Sequence, residues 1–177
     1  DRFTIRNLEL FRPNSVEGKC LIDVIDQTLS PMGGRLLKRW VALPSCDKEV
    51  IISRHNIVEF LISDEKTNEL IHNIISKLSD IERLTSKLAT KKINPREIFS
   101  LKHSVELIEN LKSDISKTEC IELNHLIHSI ENCSNFISKV SNTLNSDPPV
   151  SIGKGNTISS SVSGELSDLR EISKNTK

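Results

Sequence analysis

The sequence predicts a mainly α protein, a multi-helix orthogonal or antiparallel bundle with minor β: an N-terminal strand and a short hairpin near 150–161. Two observations carry this expectation. Apolar residues recur at steps of three and four over long stretches. Ile71, Ile74, Leu78, Ile81, Leu84 and Leu88 form one such series, and Ile98, Leu101, Val105, Ile108, Leu111 and Ile115 another. Helix-start chemistry precedes the periodic stretches at Ser30-Pro31, Asp47, Asp64, Asn94-Pro95 and Ser163.

Taken in order, DRFTIRNLEL alternates. Phe3, Ile5, Asn7 and Glu9 fall on one side, Thr4, Arg6, Leu8 and Leu10 on the other, and this reads as a strand. Residues 11–19 form a loop broken by Pro13, Asn14, Ser15 and Gly18, and 20–26 a short helical turn. A helix follows from Pro31, with Ser30 as its cap and Leu36, Leu37, Trp40 and Val41 as its apolar stripe; Pro44 closes the segment. Gly33 and Gly34 in its first turn imply that something packs closely there.

Asp47 caps a helix to about residue 63, whose buried face is expected at Val50, Ile51, Ile57, Val58, Leu61 and Ile62. Asp64 caps the next, with a break at Ser79-Asp80 and Lys91-Lys92 at the far end. Asn94-Pro95 starts a helix to about 116. A further helical stretch carries Leu123, Ile127, Ile130, Ile137, Val140 and Leu144, divided near 132–135. Asp147-Pro148-Pro149 stops it. Residues 150–161 read as two short strands around a Gly-containing turn, and Ser163 caps a last helix, 164–177.

Composition narrows the function. There are 24 Lys+Arg against 24 Asp+Glu, so the field that steers an autonomous nucleic-acid binder is missing. Aromatics make up only 3%, which disfavours base-stacking platforms and sugar clefts. The cysteines at 20, 46, 120 and 133 show no CxxC spacing and read as reduced thiols of a cytoplasmic protein. No apolar run is long enough to cross a bilayer, so no membrane partner is expected. A chain that opens at Asp1 and ends within a helix reads as a piece of something longer. Its richness in Lys, Ile, Asn and Ser points to an AT-rich bacterial genome.

Catalytic motifs are sparse. His125 and His128 are three apart on one helix, a spacing metal ligands use, but no further ligands accompany them. The GKGN run at 153–156 lacks P-loop spacing. No catalytic residue, resident cofactor or metal site is expected in the chain.

Four segments, in order, resemble the MutS family of DNA mismatch-recognition ATPases. SPMGGRLLKRWVALP at 30–44 is similar to that family's core-domain signature, and RNLEL at 6–10 with LIDVIDQTLS at 21–30 to its lead-in. DIERLTSKLATKKINPREIFSLK at 80–102 resembles a helix pair of the core, and GELSDLREI at 164–172 the start of the long lever helix. Ser167 and the SSSVSG run at 159–164 depart from the usual pattern.

The resemblance implies the first half of the core domain at 1–163 and the truncated start of the lever helix at 164–177. It implies a non-catalytic strut that couples the ATPase to the DNA clamp. The parent would bind ATP and Mg, act as a homodimer and meet mismatched duplex DNA through its other domains. This segment has neither Walker motifs nor a Phe-x-Glu wedge. By the same resemblance, Pro31, Met32, Gly33, Gly34, Arg35, Leu36, Lys38, Arg39 and Trp40 form an interdomain junction. There Trp40 anchors, and Arg35, Lys38 and Arg39 reach a neighbouring domain. The competing reading is a free-standing helical adaptor that docks partner helices on the seams at 98–144.

Overall fold

The computed structural model describes all residues except Asp1, Lys117, Ile152, Lys154, Gly155, Thr176 and Lys177; the Lys174 side chain is also left aside. The described chain is mainly α-helical. Its helices are α1 (Arg2–Asn7), α2 (Leu21–Ile25), α3 (Pro31–Ala42), α4 (Lys48–Ser63), α5 (Glu65–Lys77), α6 (Ile81–Ala89), α7 (Pro95–Ile115), α8 (Ile121–His128), α9 (Ser134–Thr143) and α10 (Gly164–Asn175), with a 3₁₀ turn at Ser160–Val162. Among the described residues no helix is long and apolar enough to cross a membrane.

The expected caps form. Ser30 Oγ accepts the Gly33 N–H at 3.2 Å. Asp47 Oδ1 accepts from Glu49 at 2.9 Å and Val50 at 3.4 Å. Asp64 Oδ1 accepts from the Thr67 N–H at 3.2 Å, and Thr67 Oγ1 donates to Asp64 Oδ2 at 2.8 Å. At α7 the pairing is reciprocal: the Glu97 N–H donates to Asn94 Oδ1 at 2.9 Å and the Asn94 N–H to Glu97 Oε2 at 3.1 Å. Each satisfies donors that the first helical turn otherwise leaves unpaired. Ser163 Oγ receives the Leu166 N–H at 3.4 Å.

Packing divides the chain into two compact units, Asp1–Asp80 with Ile115–Ile127, and Ile81–Asp114 with His128–Lys177. In the first, Cys20, Ile22, Ile74, Ile115, Cys120, Leu123 and Ile127 are buried. An Asn56 side-chain N–H donates to Glu122 Oε1 at 2.5 Å, tying α4 to α8 within that unit. In the second, Leu84, Leu101, Val140, Ser104, Pro148 and Thr157 are buried. Arg96 donates from Nε to the Pro148 carbonyl at 3.3 Å and pairs with Asp147 at 3.2 Å, holding the 147–148 turn against the start of α7.

Three expectations are corrected. The N-terminal strand is α1: its helical bonds run on into Leu8 N–H to Thr4 O at 3.0 Å, and Glu9, at φ 48°, ends it. Alternation in so short a segment loses to tertiary anchoring. The Leu21 and Ile22 N–H groups donate to the Glu9 and Leu10 carbonyls at 3.0 and 3.1 Å, which fixes how the chain leaves the helix.

The second correction is the hairpin near 150–161. Ile152, Lys154 and Gly155 lie outside the described residues, and the rest of that run forms one isolated antiparallel bridge, Leu144 with Ile158. The Asn145 N–H donates to Thr157 O at 3.1 Å and the Ser159 N–H to Thr143 O at 2.9 Å, so 157–159 pairs with the end of α9. The third concerns α4, where Val50, Val58 and Ile62 face solvent, Ile62 being 77% exposed, while Ile51, Ile57 and Leu61 are half-buried.

Candidate interdomain surface around the proline-started helix

The nine signature residues at 31–40 lie on α3, which runs from Pro31 just as the Ser-Pro start predicts. The preceding loop folds over its first turn. Asp26 Oδ1 accepts from the Thr28 N–H at 3.1 Å and from Thr28 Oγ1 at 2.6 Å. Those two donors hold the Asp26 carboxyl below its usual range, with the Lys38 charge a smaller contribution. A Cβ on Gly33 would stand 3.3 Å from Thr28 Cβ, and one on Gly34 3.2 Å from Thr28 Oγ1. The close neighbour that the two glycines admit is therefore this loop, Asp26 to Ser30.

Arg35 is engaged inside the first unit. Its guanidinium makes two parallel bonds to Asp80, at 3.0 and 2.7 Å. That fork-to-carboxylate geometry fixes orientation as well as distance. Trp40 is 40% exposed, and the Arg54 guanidinium of α4 stacks 3.7 Å above its ring. Leu36 is exposed too, as are Lys38 and Arg39, while Met32 is half-buried. The expected apolar stripe thus sits at the surface of the unit, with only Leu37 and Val41 half-buried. Leu36, Trp40 and the exposed Leu43 follow one another at helical spacing and make an open apolar ridge bordered by Arg39 and by the Arg54 guanidinium over Trp40.

The sequence marks Asp80 as part of a helix break and as the start of a motif, not as the partner of Arg35, and it gives no sign of Arg54 or Thr28. No spacing rule could pair residues 45 apart. The other candidates stay apart. His125 and His128 are exposed on α8, and among the described residues no three His, Cys, Asp or Glu side chains gather as a ligand set. All four cysteines are free, Cys20 and Cys120 buried. The Cys20 thiol donates to Asp23 Oδ2 at 2.9 Å and, with its own N–H, lowers that carboxyl's pKa.

Residues 3–175 match the family described as MutS domain III. Among curated relatives, the chain is 46% identical to the DNA mismatch repair protein MutS of Flavobacterium johnsoniae over 98% of its length. It is 44% identical to the MutS of Christiangramia forsetii over 97%, and 37% to that of Bacteroides thetaiotaomicron over 98%. It spans 20% of the length of each of these relatives. A helical chain with the Pro31 helix, the Asn94-Pro95 helix start and the final helix in this order, matched from end to end, belongs to the MutS family as its domain III.

Proposed function

We propose that this chain is a non-catalytic core and lever segment of a MutS-type mismatch-recognition ATPase, linking nucleotide state to the position of a DNA clamp. In this reading 1–163 is the first half of the core and 164–177 begins the lever. ATP and Mg, mismatched duplex DNA and a second protomer all meet other parts of the parent protein, in the cytoplasm.

The supporting observation is the end-to-end match to MutS domain III on a fold of rigidly capped helices. Packed helices shift between discrete arrangements rather than deform continuously, which suits them to transmit a conformational state. The ridge Leu36–Trp40–Leu43, with Arg39 beside it, is the proposed junction to a neighbouring domain, while Lys38 lies on the other side of α3 toward Asp26. Leu169, 64% exposed on α10, extends the same logic to the lever.

The adaptor reading has less support. The seams it would offer contribute Leu101, Ile115, Leu123, Ile127 and Val140 to the buried cores.

The test is made in the full-length protein carrying this segment, with Leu36→Ser and Trp40→Ala. Coupling predicts that ATP binding and heteroduplex binding, measured separately, stay near wild type while the mismatch-dependent change in ATP hydrolysis is lost. A fully retained response in both variants would overturn the proposal.

A further inference from the structure

Away from the α3 surface, the first unit carries a groove at its N-terminal end, about 880 Å³, lined by Arg2, Phe3, Ile5, Arg6, Phe11, Arg12, Pro13 and Asn14. Arg2 and Arg6 stand one turn apart on α1, and Arg12 joins them from the loop. None of the three guanidinium side chains has a hydrogen bond, ion pair or ring contact among the described residues. Like charges four apart on a helix oppose its formation, and no acidic side chain among the described residues lines the groove to offset them. Glu9 lies nearby, but its carboxylate accepts the Asn14 N–H at 3.2 Å. Between the cations lie Phe3, 73% exposed, and the half-buried Ile5, Phe11 and Pro13.

The walls are pre-set. Glu9 and Leu10 are tied to α2 through their carbonyls, and the Glu9–Asn14 bond closes the loop. A rigid concave surface loses little freedom when it is filled.

From this we propose that the groove docks an acidic polypeptide segment carrying an apolar anchor, with carboxylates against Arg2, Arg6 and Arg12 and the anchor against Phe3, Ile5 and Phe11. The chain's zero net charge and the apolar Phe3, Ile5 and Phe11 favour a peptide over nucleic acid, whose backbone offers phosphates to the arginines but no apolar side chain to the wall between them. The proposal is independent of the coupling role.

Its test is fluorescence anisotropy on the protein with a labelled peptide of Glu and Asp around one Phe and one Leu. A peptide with Lys at the acidic positions and a mixed-sequence single-stranded DNA serve as the other probes. The acidic peptide is expected to saturate, weakening as salt rises, while the other two bind at least about tenfold more weakly. Arg6→Glu and, independently, Arg12→Gln are each expected to weaken it about tenfold, and Phe3→Ala severalfold, with circular dichroism unchanged. If Arg6→Glu perturbs folding, Arg12→Gln on the loop decides. Absence of saturation, full binding by a folded Arg12→Gln variant, or tighter binding of the DNA would each overturn it.

Discussion

Arg35 and Asp80 join two stretches of sequence 45 residues apart through a two-bond guanidinium–carboxylate pair at 3.0 and 2.7 Å. Arg35 belongs to the signature that opens α3, and Asp80 is the first residue of the motif segment at 80–102, directly before α6. Both residues belong to the first unit, and the pair fixes Asp80, the last residue of its N-terminal stretch, against α3. A double-mutant cycle with Arg35→Ala and Asp80→Ala is expected to give a coupling energy of about 1 kcal/mol in urea unfolding. Arg35→Lys, which keeps charge but not the fork, is expected to recover less than half of it.

Gly18 gives a sharper steric prediction. A Cβ there would come within 2.7 Å of Ser15 Oγ and 2.9 Å of Pro13 Cβ, and the proline ring cannot swing aside. Gly18→Ala is expected to cost about 1–2 kcal/mol of stability, measured by denaturant midpoint at constant slope.

Among the described residues, Asp23, Asp26, Asp64, Glu97 and Glu122 have pKa values held below the ordinary range. Thr28 acts on Asp26, Thr67 on Asp64, Lys87 and then the Asn94 N–H on Glu97, Asn56 on Glu122, and Cys20 on Asp23. The folded state therefore binds fewer protons than the unfolded chain in acid, so stability rises with pH there. Each contribution is complete above the unfolded-state value, about 4, and is lost as pH falls through the folded value. Stability measured in urea is expected to be flat from about pH 7 to 5 and to fall below about pH 4.5. Asp64→Asn combined with Glu97→Gln is expected to flatten that fall.

Burial separates two leucine-class positions. Leu101 is 3% exposed, and Leu101→Ala is expected to cost about 2–4 kcal/mol. Ile62→Ser, at an exposed site on α4, is expected to change stability by less than about 0.5 kcal/mol. Thermal unfolding of the two variants side by side checks both.

What was legible in the sequence was local chemistry. Ser30, Asp47, Asp64 and Asn94 cap as their residue types and spacing require, because a cap bonds groups two or three residues away. The helix-start proline at 31 and the division between α8 and α9 follow from the same short-range rules. The signature residues were found through resemblance, whereas their partners were not. Thr28 over Gly33, Arg54 over Trp40 and Asp80 on Arg35 depend on how the chain returns. The α1 error has the same origin. In a strand Phe3 and Arg6 would point to opposite faces, whereas three apart on a helix they are neighbours, so the strand expectation also hid the groove. On α4 the periodic pattern over-counted the core, since Val50, Val58 and Ile62 extend the apolar set past what the unit covers.

The division of the chain into interleaved segments bears on its synthesis. Because the first unit draws on Ile115–Ile127, it stays unfinished on the ribosome until that stretch has emerged, by which time all of Ile81–Asp114 has already emerged. Neither half can be liberated by a single cut or expressed as one uninterrupted stretch. A stop codon placed after Asp80 would yield a product that lacks Ile115, Cys120, Leu123 and Ile127 from its interior, and cellular proteases would be expected to clear it.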